Sequence, residues 1–492
     1  MLDYDYKTDP FKHQHEVFMR SRDEIDFAFL MGMGTGKSKV GCDTAAWLWL
    51  QEKIRLVVVV APNGVHRNWV LREVPAHLPE WTHYRSAIWA SSMKAAEKKA
   101  LDKLWDDGRG LRVVSMNIEA FGSGMKGKAA QYLAKLLNAF PTMIIIDESS
   151  KIKTPGATRT KTLTTLSKRA EYRRIMTGTP ITNGPLDAFA QFRFLNPRYL
   201  GFDNFYSFKH HFAEWRKRQL KRTGKNGRPV EFEELVAYRN IDELTRKIQA
   251  VSYRITKDQC LDLPDKVYER RLVPISAQQA KLYKSIKERA LYELNCEEIT
   301  ISNILTKLLR LQQVLGGFIP AGEFEPATAI DGPNHRMDAM LDVCESAVFD
   351  GKVIIWARFR AELDAIVAKL SEAYGKDAVV AYHGGVDRHT REENIDRVQN
   401  DENCLFFVGQ QHSGGYGLTL TAARTVIYYS NDFSLEARLQ SEDRAHRIGQ
   451  TEKVTYVDIE AENTVDTKII NALRAKKNIA DVITQDDPST WL

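Results

Sequence analysis

Two short runs in this chain have the residue types and order needed for nucleoside-triphosphate chemistry. Met31-Gly32-Met33-Gly34-Thr35-Gly36-Lys37-Ser38 comes first, and Ile144-Ile145-Ile146-Asp147-Glu148 follows well downstream. Glycines let backbone N–H groups close around phosphate oxygens, and a helix opening near Lys37 would turn its positive end to the same anion. Lys37 is then the counter-charge for the outer phosphates, and the Ser38 hydroxyl is a ligand for Mg²⁺. Met33, Gly34, Thr35 and Gly36 complete the nucleotide-binding set. Met31 stands where the strict pattern has its first glycine. Taken alone, the run also reads as a glycine-rich strand-to-helix turn carrying a surface lysine. The second run narrows the choice. A carboxylate at the end of a buried apolar strand is costly without a partner. Mg²⁺ is the natural partner for Asp147, and Glu148 is placed to polarise an attacking water.

These groups need a rigid scaffold. Apolar segments at Phe27–Met31, Leu56–Ala61, Arg112–Met116, Met143–Asp147 and Arg174–Thr177 predict buried parallel strands, each followed by a turn and a helical pattern. A second series begins at Lys352–Trp356 and continues through Ala378–Tyr382, Leu405–Val408, Thr425–Tyr429 and Lys453–Asp458. Repeated strand–helix alternation implies doubly wound parallel sheets. The fold class expected is therefore α/β, with two tandem lobes, residues 1–266 and 267–492. Between the two series, strands are hard to find. Residues 186–262 read as a helical, basic protrusion, 275–330 as a helical insertion, and 463–484 as a closing helix. Lys221–Pro229 reads as an exposed loop.

The chain of 492 residues, 43% hydrophobic, can build ordinary globular cores. It has no apolar run long enough to span a membrane. The acidic, polar start at Met1-Leu2-Asp3-Tyr4-Asp5 is unlike a secretory or mitochondrial leader. Five scattered cysteines with no CxxC pair argue against zinc and a disulfide framework, and fit a reducing cytoplasm. A net charge of +6 permits a nucleic-acid partner without demanding one. The distribution says more: Ser207–Pro229 holds eight Lys/Arg against one Glu.

Further motifs identify a resemblance. Met176-Thr177-Gly178-Thr179-Pro180-Ile181-Thr182-Asn183 is similar to the third motif of superfamily-two helicases. Gln440-Ser441-Glu442-Asp443-Arg444-Ala445-His446-Arg447-Ile448-Gly449-Gln450 resembles the sixth, in the form found in Swi/Snf-like DNA translocases. Phe11-Lys12-His13-Gln14 resembles the adenine-reading motif. Ala61-Pro62 with Asn68-Trp69 resembles motif Ia, Lys352–Trp356 motif IV, and Ser413–Ala423 motif V. The likeness runs from about residue 10 to 460 and implies two RecA-like lobes. There are departures. Met31-Gly32 stands where the family usually has Asp-Glu, and Asp147-Glu148-Ser149-Ser150 lacks the histidine of the usual DEAH, which alters the expected coupling to the nucleic-acid-facing motifs.

The resemblance implies a site completed from both lobes. Gln14 would read adenine. Lys37, Ser38, Asp147 and Glu148 would hold and hydrolyse ATP with Mg²⁺. Gly417 and Gln440 would line the nucleotide, and Arg444 and Arg447 would reach its γ phosphate. Nucleic-acid contacts fall by the same resemblance on Asn68, Trp69, Thr177, Thr179, Gly415, Leu418 and Thr419. Arg67 and Lys153 flank motifs at expected loop ends. Arg216, Lys217, Arg218, Lys221 and Arg222 belong to the basic segment, which reads either as a grip on duplex DNA or as a helical pair with aromatics inward and charges in water. The implied activity is a DNA-stimulated ATPase that moves along double-stranded DNA, as a monomeric motor in the cytoplasm of a bacterial or phage-infected cell. Unwinding, branch migration or annealing of forked or branched DNA, a nucleotide-gated clamp, and RNA as the track are the alternatives.

Overall fold

The computed structural model describes residues 4–475 apart from 64, 179–180, 182–183, 224–228, 297–300, 321–326 and 415–417. The chain forms two compact units, Met1–Leu261 and Asp262–Leu492.

In the first unit the strands are β1 (Asp26–Met31), β2 (Leu56–Ala61), β3 (Tyr84–Trp89), β4 (Leu111–Asn117), β5 (Thr142–Asp147), β6 (Tyr172–Met176), β7 (Ala213–Thr223), β8 (Pro229–Tyr238) and β9 (Ser252–Ile255). Seven of them make one parallel sheet in the order β3-β4-β2-β5-β6-β1-β9. β1, β2 and β5 are buried at every position, as expected of strands with both faces covered. Branched side chains such as Val57–Val60 and Ile144–Ile146 suit such positions. One apolar core joins β2, β4 and β5 to the helices Lys128–Ala139, Thr158–Ser167 and Ala188–Leu195.

This order matters for chemistry. β5, β6 and β1 are consecutive neighbours, so their carboxyl ends bring together Asp147, Thr177 and the glycine-rich loop. Open α/β sheets bind ligands at that edge.

The second unit contains β10 (Lys266–Val273), the short antiparallel pair β11 (Phe318–Ile319) and β12 (Thr328–Ala329), then β13 (Lys352–Trp356), β14 (Val379–Tyr382), β15 (Phe406–Gly409), β16 (Ala423–Tyr428) and β17 (Val454–Ala461). Its six-stranded parallel sheet has the order β10-β17-β16-β13-β15-β14. Long helices at Ala277–Cys296 and Ile301–Leu315 occupy the expected insertion, and the helix Val465–Arg474 packs into the core. The expected closing helix beyond 475 lies outside the described residues.

Three strands of the two parallel sheets, β3, β9 and β10, escaped the sequence reading, as did the short pair β11 and β12. β3 is an edge strand, buried only over its last half, and β10 is exposed at most positions. Neither produces the continuous apolar run used as the signal for a buried strand.

The larger correction concerns the basic segment. The expected helical protrusion keeps helices at Ala188–Leu195 and Lys257–Cys260, and its basic part is helical at Phe205–Phe212 and Ile241–Ala250. Between them β7 and β8 form a separate antiparallel hairpin, so the supposed loop at Lys221–Pro229 is partly strand. The physical reason lies in the pairing. Arg216 stands opposite Glu234, Lys217 opposite Glu233, and Trp215 opposite Leu235. Each strand satisfies its backbone groups on the other, and Glu233 of β8 is ion-paired with Lys209 of the helix Phe205–Phe212. A cation count that stops at Pro229 misses Glu231, Glu233 and Glu234 just beyond.

Candidate ATP-binding and hydrolysis site

The glycine-rich loop leaves β1 at Met31 and enters the helix Lys37–Leu50. Gly34 and Gly36 have φ of +73° and +86°, the left-handed region that side chains disfavour. Gly36 has a second reason to lack a side chain, since a Cβ there would lie 2.2 Å from Gln14 Nε2. Gln14 is itself buried. Its Nε2 donates to Thr35 O at 3.0 Å, and its Oε1 accepts from Phe11 N–H at 3.0 Å. His13 donates from Nε2 to the same Thr35 carbonyl at 2.8 Å, and Thr35 Oγ1 donates to Gly32 O at 2.8 Å. The loop is thus held from the Phe11–Gln14 motif as well as from its own strand. Lys37 Nζ spans the loop, donating to Met31 O and Gly32 O, both at 3.0 Å. Ser38, one residue on, is half-buried. A Cβ on Gly178 would sit 3.2 Å from the Met33 backbone nitrogen, which places the start of motif III against this loop.

Asp147 closes β5 and is buried. Burial pushes its carboxyl group up from the usual carboxylate range. The Trp69 indole N–H, the Lys37 ammonium and the Glu148 N–H oppose that shift. Trp69 Nε1 donates to Asp147 Oδ2 at 2.8 Å, and Glu148 N–H to Oδ1 at 3.0 Å. Lys37 and Asp147, distant in sequence, therefore share one electrostatic centre. A buried carboxylate whose charged form is held by donors and a nearby cation is a hard-oxygen site suited to Mg²⁺. Asp147 and Ser38 are the residues that would hold the ion, and bound there it would neutralise phosphate charge.

Glu148 has φ of +54°. For a side-chain-bearing residue this conformation costs on the order of 1–3 kcal/mol and is concentrated at functional sites. It turns the chain sharply beyond Asp147. Ser149 Oγ then donates to Gln191 Oε1 at 2.7 Å, while Gln191 Nε2 donates to Asp187 O at 3.0 Å. Ser150, at the place of the missing histidine, is buried too. The route from the acid pair to the segment after motif III thus runs through Ser149 and Gln191. The sequence reading did not foresee that contact.

In the second unit, motifs V and VI converge on one carbonyl. Arg444 Nη1 and Arg447 Nη1 donate to Leu418 O at 3.1 and 3.0 Å, and Arg444 Nε donates to Gln440 O at 3.1 Å. Gln440 is buried and donates to Glu436 Oε1 at 3.1 Å. Gln450 binds three carbonyls, those of Thr421, Ala423 and Ala445, each at 3.1 Å. Gly415 and Gly417 lie outside the described residues.

The expected nucleic-acid contacts fare unevenly. Trp69 is 2% exposed and commits its only polar hydrogen to Asp147, so it belongs to the acid site and the surface reading is corrected. The reason is that a buried carboxylate draws in a donor. Thr177 and Leu418 are also buried, which removes their side chains from the surface. Arg67 pairs with Glu97 at 2.8 Å, Asn68 Nδ2 donates to Glu73 Oε1 at 3.3 Å, and Lys153 lies 3.7 Å from Asp187. Thr419 is half-buried, whereas Arg216 and Lys217 on β7 are exposed. Thr179 and the side chains of Arg218, Lys221 and Arg222 lie outside what is described.

Comparison with known proteins agrees with these motifs. Residues 23–316 match the SNF2-related domain, and residues 335–449 match the helicase conserved C-terminal domain. An uncharacterized ATP-dependent helicase of Mycoplasma pneumoniae is 25% identical over 347 residues, covering 70% of this chain and 31% of that protein. A Caenorhabditis elegans homolog of the SWI/SNF-related matrix-associated actin-dependent regulator of chromatin subfamily A-like protein 1 is 28% identical over 339 residues, covering 68% and 45%. Among solved structures, the Sulfolobus solfataricus SWI2/SNF2 ATPase core in complex with double-stranded DNA aligns with a TM-score of 0.42 at 23% identity, over 100% of this chain and 96% of that one. The chain spans between 20% and 45% of the length of the curated relatives compared. With the glycine loop, the acid pair and the paired arginines in place, and a family model matching more than half its length, the chain belongs to the SNF2-related, Swi/Snf-like ATPases of helicase superfamily two.

Proposed function

We propose that the chain is a DNA-stimulated ATPase that translocates along double-stranded DNA without obligatory strand separation. The observations that support this reading lie in each unit by itself. Lys37 acts on the buried Asp147 in one unit, and Arg444 and Arg447 share the Leu418 carbonyl in the other. A clamp that only binds nucleotide needs neither a base such as Glu148 nor paired arginines. In this mechanism the loop and Lys37 bind the phosphates, and Asp147 and Ser38 would hold Mg²⁺, which would supply charge neutralisation. Glu148 takes a proton from the attacking water. Arg444 and Arg447 leave Leu418 O to meet the charge that develops on the γ phosphate. The track is held through phosphates, since a motor must ignore sequence. Arg67, Asn68, Lys153, Thr419, Arg216 and Lys217 are the residues assigned to that grip.

The β7–β8 hairpin favours a second reading, in which a self-paired ribbon separate from the main sheet parts the strands of forked DNA. ATP turnover with duplex DNA, single-stranded DNA and RNA, followed by triplex displacement and fork unwinding with purified protein, separates the readings. Duplex-specific stimulation with triplex displacement and no unwinding is the expected result. Stimulation by RNA alone, or fork unwinding at the displacement rate, overturns it.

A further inference from the structure

The chain passes from the first unit to the second at Leu261–Asp262, and the residues just beyond are fastened to motif VI. His446, between the two motif VI arginines in sequence, donates from Nε2 to Pro264 O at 2.6 Å. Two residues further on, Lys266 Nζ lies 3.1 Å from Glu442 Oε2 and 3.8 Å from Asp443 Oδ1. Tyr268 OH donates to the same Glu442 Oε2 at 2.7 Å. Lys266 and Tyr268 are alternate residues of β10 and so share a face of the strand. That face is turned to motif VI.

Glu442 is the hub. It is buried, and its other oxygen accepts from Arg438 Nε at 2.9 Å. Arg438 in turn holds Asp458 on β17, as does Arg474. The Glu442 backbone carbonyl accepts from Tyr456 OH at 2.8 Å, and the Tyr456 ring stacks on Tyr268 at 5.3 Å. None of this touches phosphate, metal or water in the reaction above, and the ladder between β10 and β17 would form without it. A carboxylate taken out of water and given a lysine, an arginine and a tyrosine is an expensive arrangement for a strand that backbone pairing already secures.

We propose that Lys266 and Tyr268, acting through Glu442 and with His446 on Pro264, are positioning residues. They latch the entry segment of the second unit to motif VI, so that Arg444 and Arg447 move with the interunit connection as one body. Bending of the connection is thereby confined to residues ahead of Pro264. Displacement of the connection is delivered to the arginines without slack. The inference rests on the hydrolytic reading of Arg444 and Arg447 given above.

The test uses full-length protein with Lys266→Met and Tyr268→Phe, singly and combined, and Lys266→Arg as the conservative control. Basal ATP turnover without nucleic acid reports the latch, and stimulation by duplex DNA reports the translocase reading. The combined variant is expected to lose kcat by about tenfold to a hundredfold, the scale of a small misplacement of reacting groups, with KM for ATP unchanged. Triplex displacement per ATP consumed falls as well, the urea midpoint stays, and Lys266→Arg restores turnover. Wild-type kcat and wild-type displacement per ATP in the combined variant overturn the latch. So does a loss of kcat matched by a lower urea midpoint or a raised KM, which marks a merely structural contact. Wild-type protein that turns over ATP without duplex stimulation removes the translocase reading alone, and basal kcat still decides the latch.

Discussion

At the scale of single residues, the proposed chemistry turns on Asp147 and its neighbours. The Trp69 N–H favours the ionised form of Asp147 against the penalty of burial. In Trp69→Phe that donor is lost, the carboxyl group rises further, and less of it is ionised at a given pH. The acid limb of the kcat/KM profile for ATP should therefore move to higher pH, while the plateau at neutral to alkaline pH changes less. An acid limb that stays in place, or moves down, refutes the assignment of Trp69 to the acid site. Glu148→Gln removes the proposed proton acceptor and keeps the shape. Turnover should drop by about 10²–10⁴-fold, the usual contribution of a general base, with ATP still bound. Single-turnover hydrolysis and a fluorescent-nucleotide titration check both halves of that statement.

At the scale of elements, two assemblies carry separate predictions. The helix Leu435–Glu442 is tied to β17 by Arg438, which is buried between Glu442 and Asp458. Removing that cation leaves two buried carboxylates without their main partner. Arg438→Ala should cost about 3–5 kcal/mol in urea unfolding. Burial pushes the Asp458 carboxyl up, but Arg438, Arg474 and Asn431 more than offset it and hold the group below its ordinary value. A depressed carboxylate contributes stability above its unfolded value and loses it as pH falls through the folded one. The cost of Arg438→Ala should accordingly be full at neutral pH and shrink under acid. A cost independent of pH would point to packing alone. The hairpin is the second assembly. Arg216 and Lys217 are exposed, and each faces a glutamate in the ladder. Changing both to Gln should weaken duplex binding. If both touch phosphates, the slope of log K against log salt falls by about 2, given roughly 0.9 per contact. An unchanged slope assigns these cations to the ladder only.

At the scale of the whole molecule, the residues proposed for hydrolysis are divided between the two units. The loop, the acids and Gln14 are in Met1–Leu261, and the arginines and Gln440 are in Asp262–Leu492. Hydrolysis that uses both sets makes Arg447→Ala lose turnover by roughly 10³–10⁵-fold, the range for such arginines in related NTPases, while nucleotide affinity is largely kept by the first unit. Equal losses in affinity and turnover would show that the arginine serves binding and not the transition state. The latch proposed for Pro264–Tyr268 belongs to this scale too, because it concerns how motion in one part of the chain reaches the arginines in another.

The sequence by itself determined the chemistry-bearing loops and most of the two parallel sheets. Glycine positions, an apolar strand ending in Asp147-Glu148, and the RAHRIGQ run are local patterns, and local patterns survive without knowledge of partners. Gly36 is an example, since its left-handed backbone can be expected from the loop alone. Tertiary structure decided whatever depends on a distant partner. Trp69 faces inward because Asp147, far along the chain, needs a donor. β7 and β8 are strands because each finds its partner in the other, in a register that sets Arg216 opposite Glu234 and Lys217 opposite Glu233. β3, β9 and β10 owe their state to the strands beside them. Lys266 and Glu442, well separated in sequence, meet only once the second sheet has closed. Periodicity reports which face of a segment is buried. It does not report which buried charge that face must satisfy, and here the buried charges fixed the details of the site.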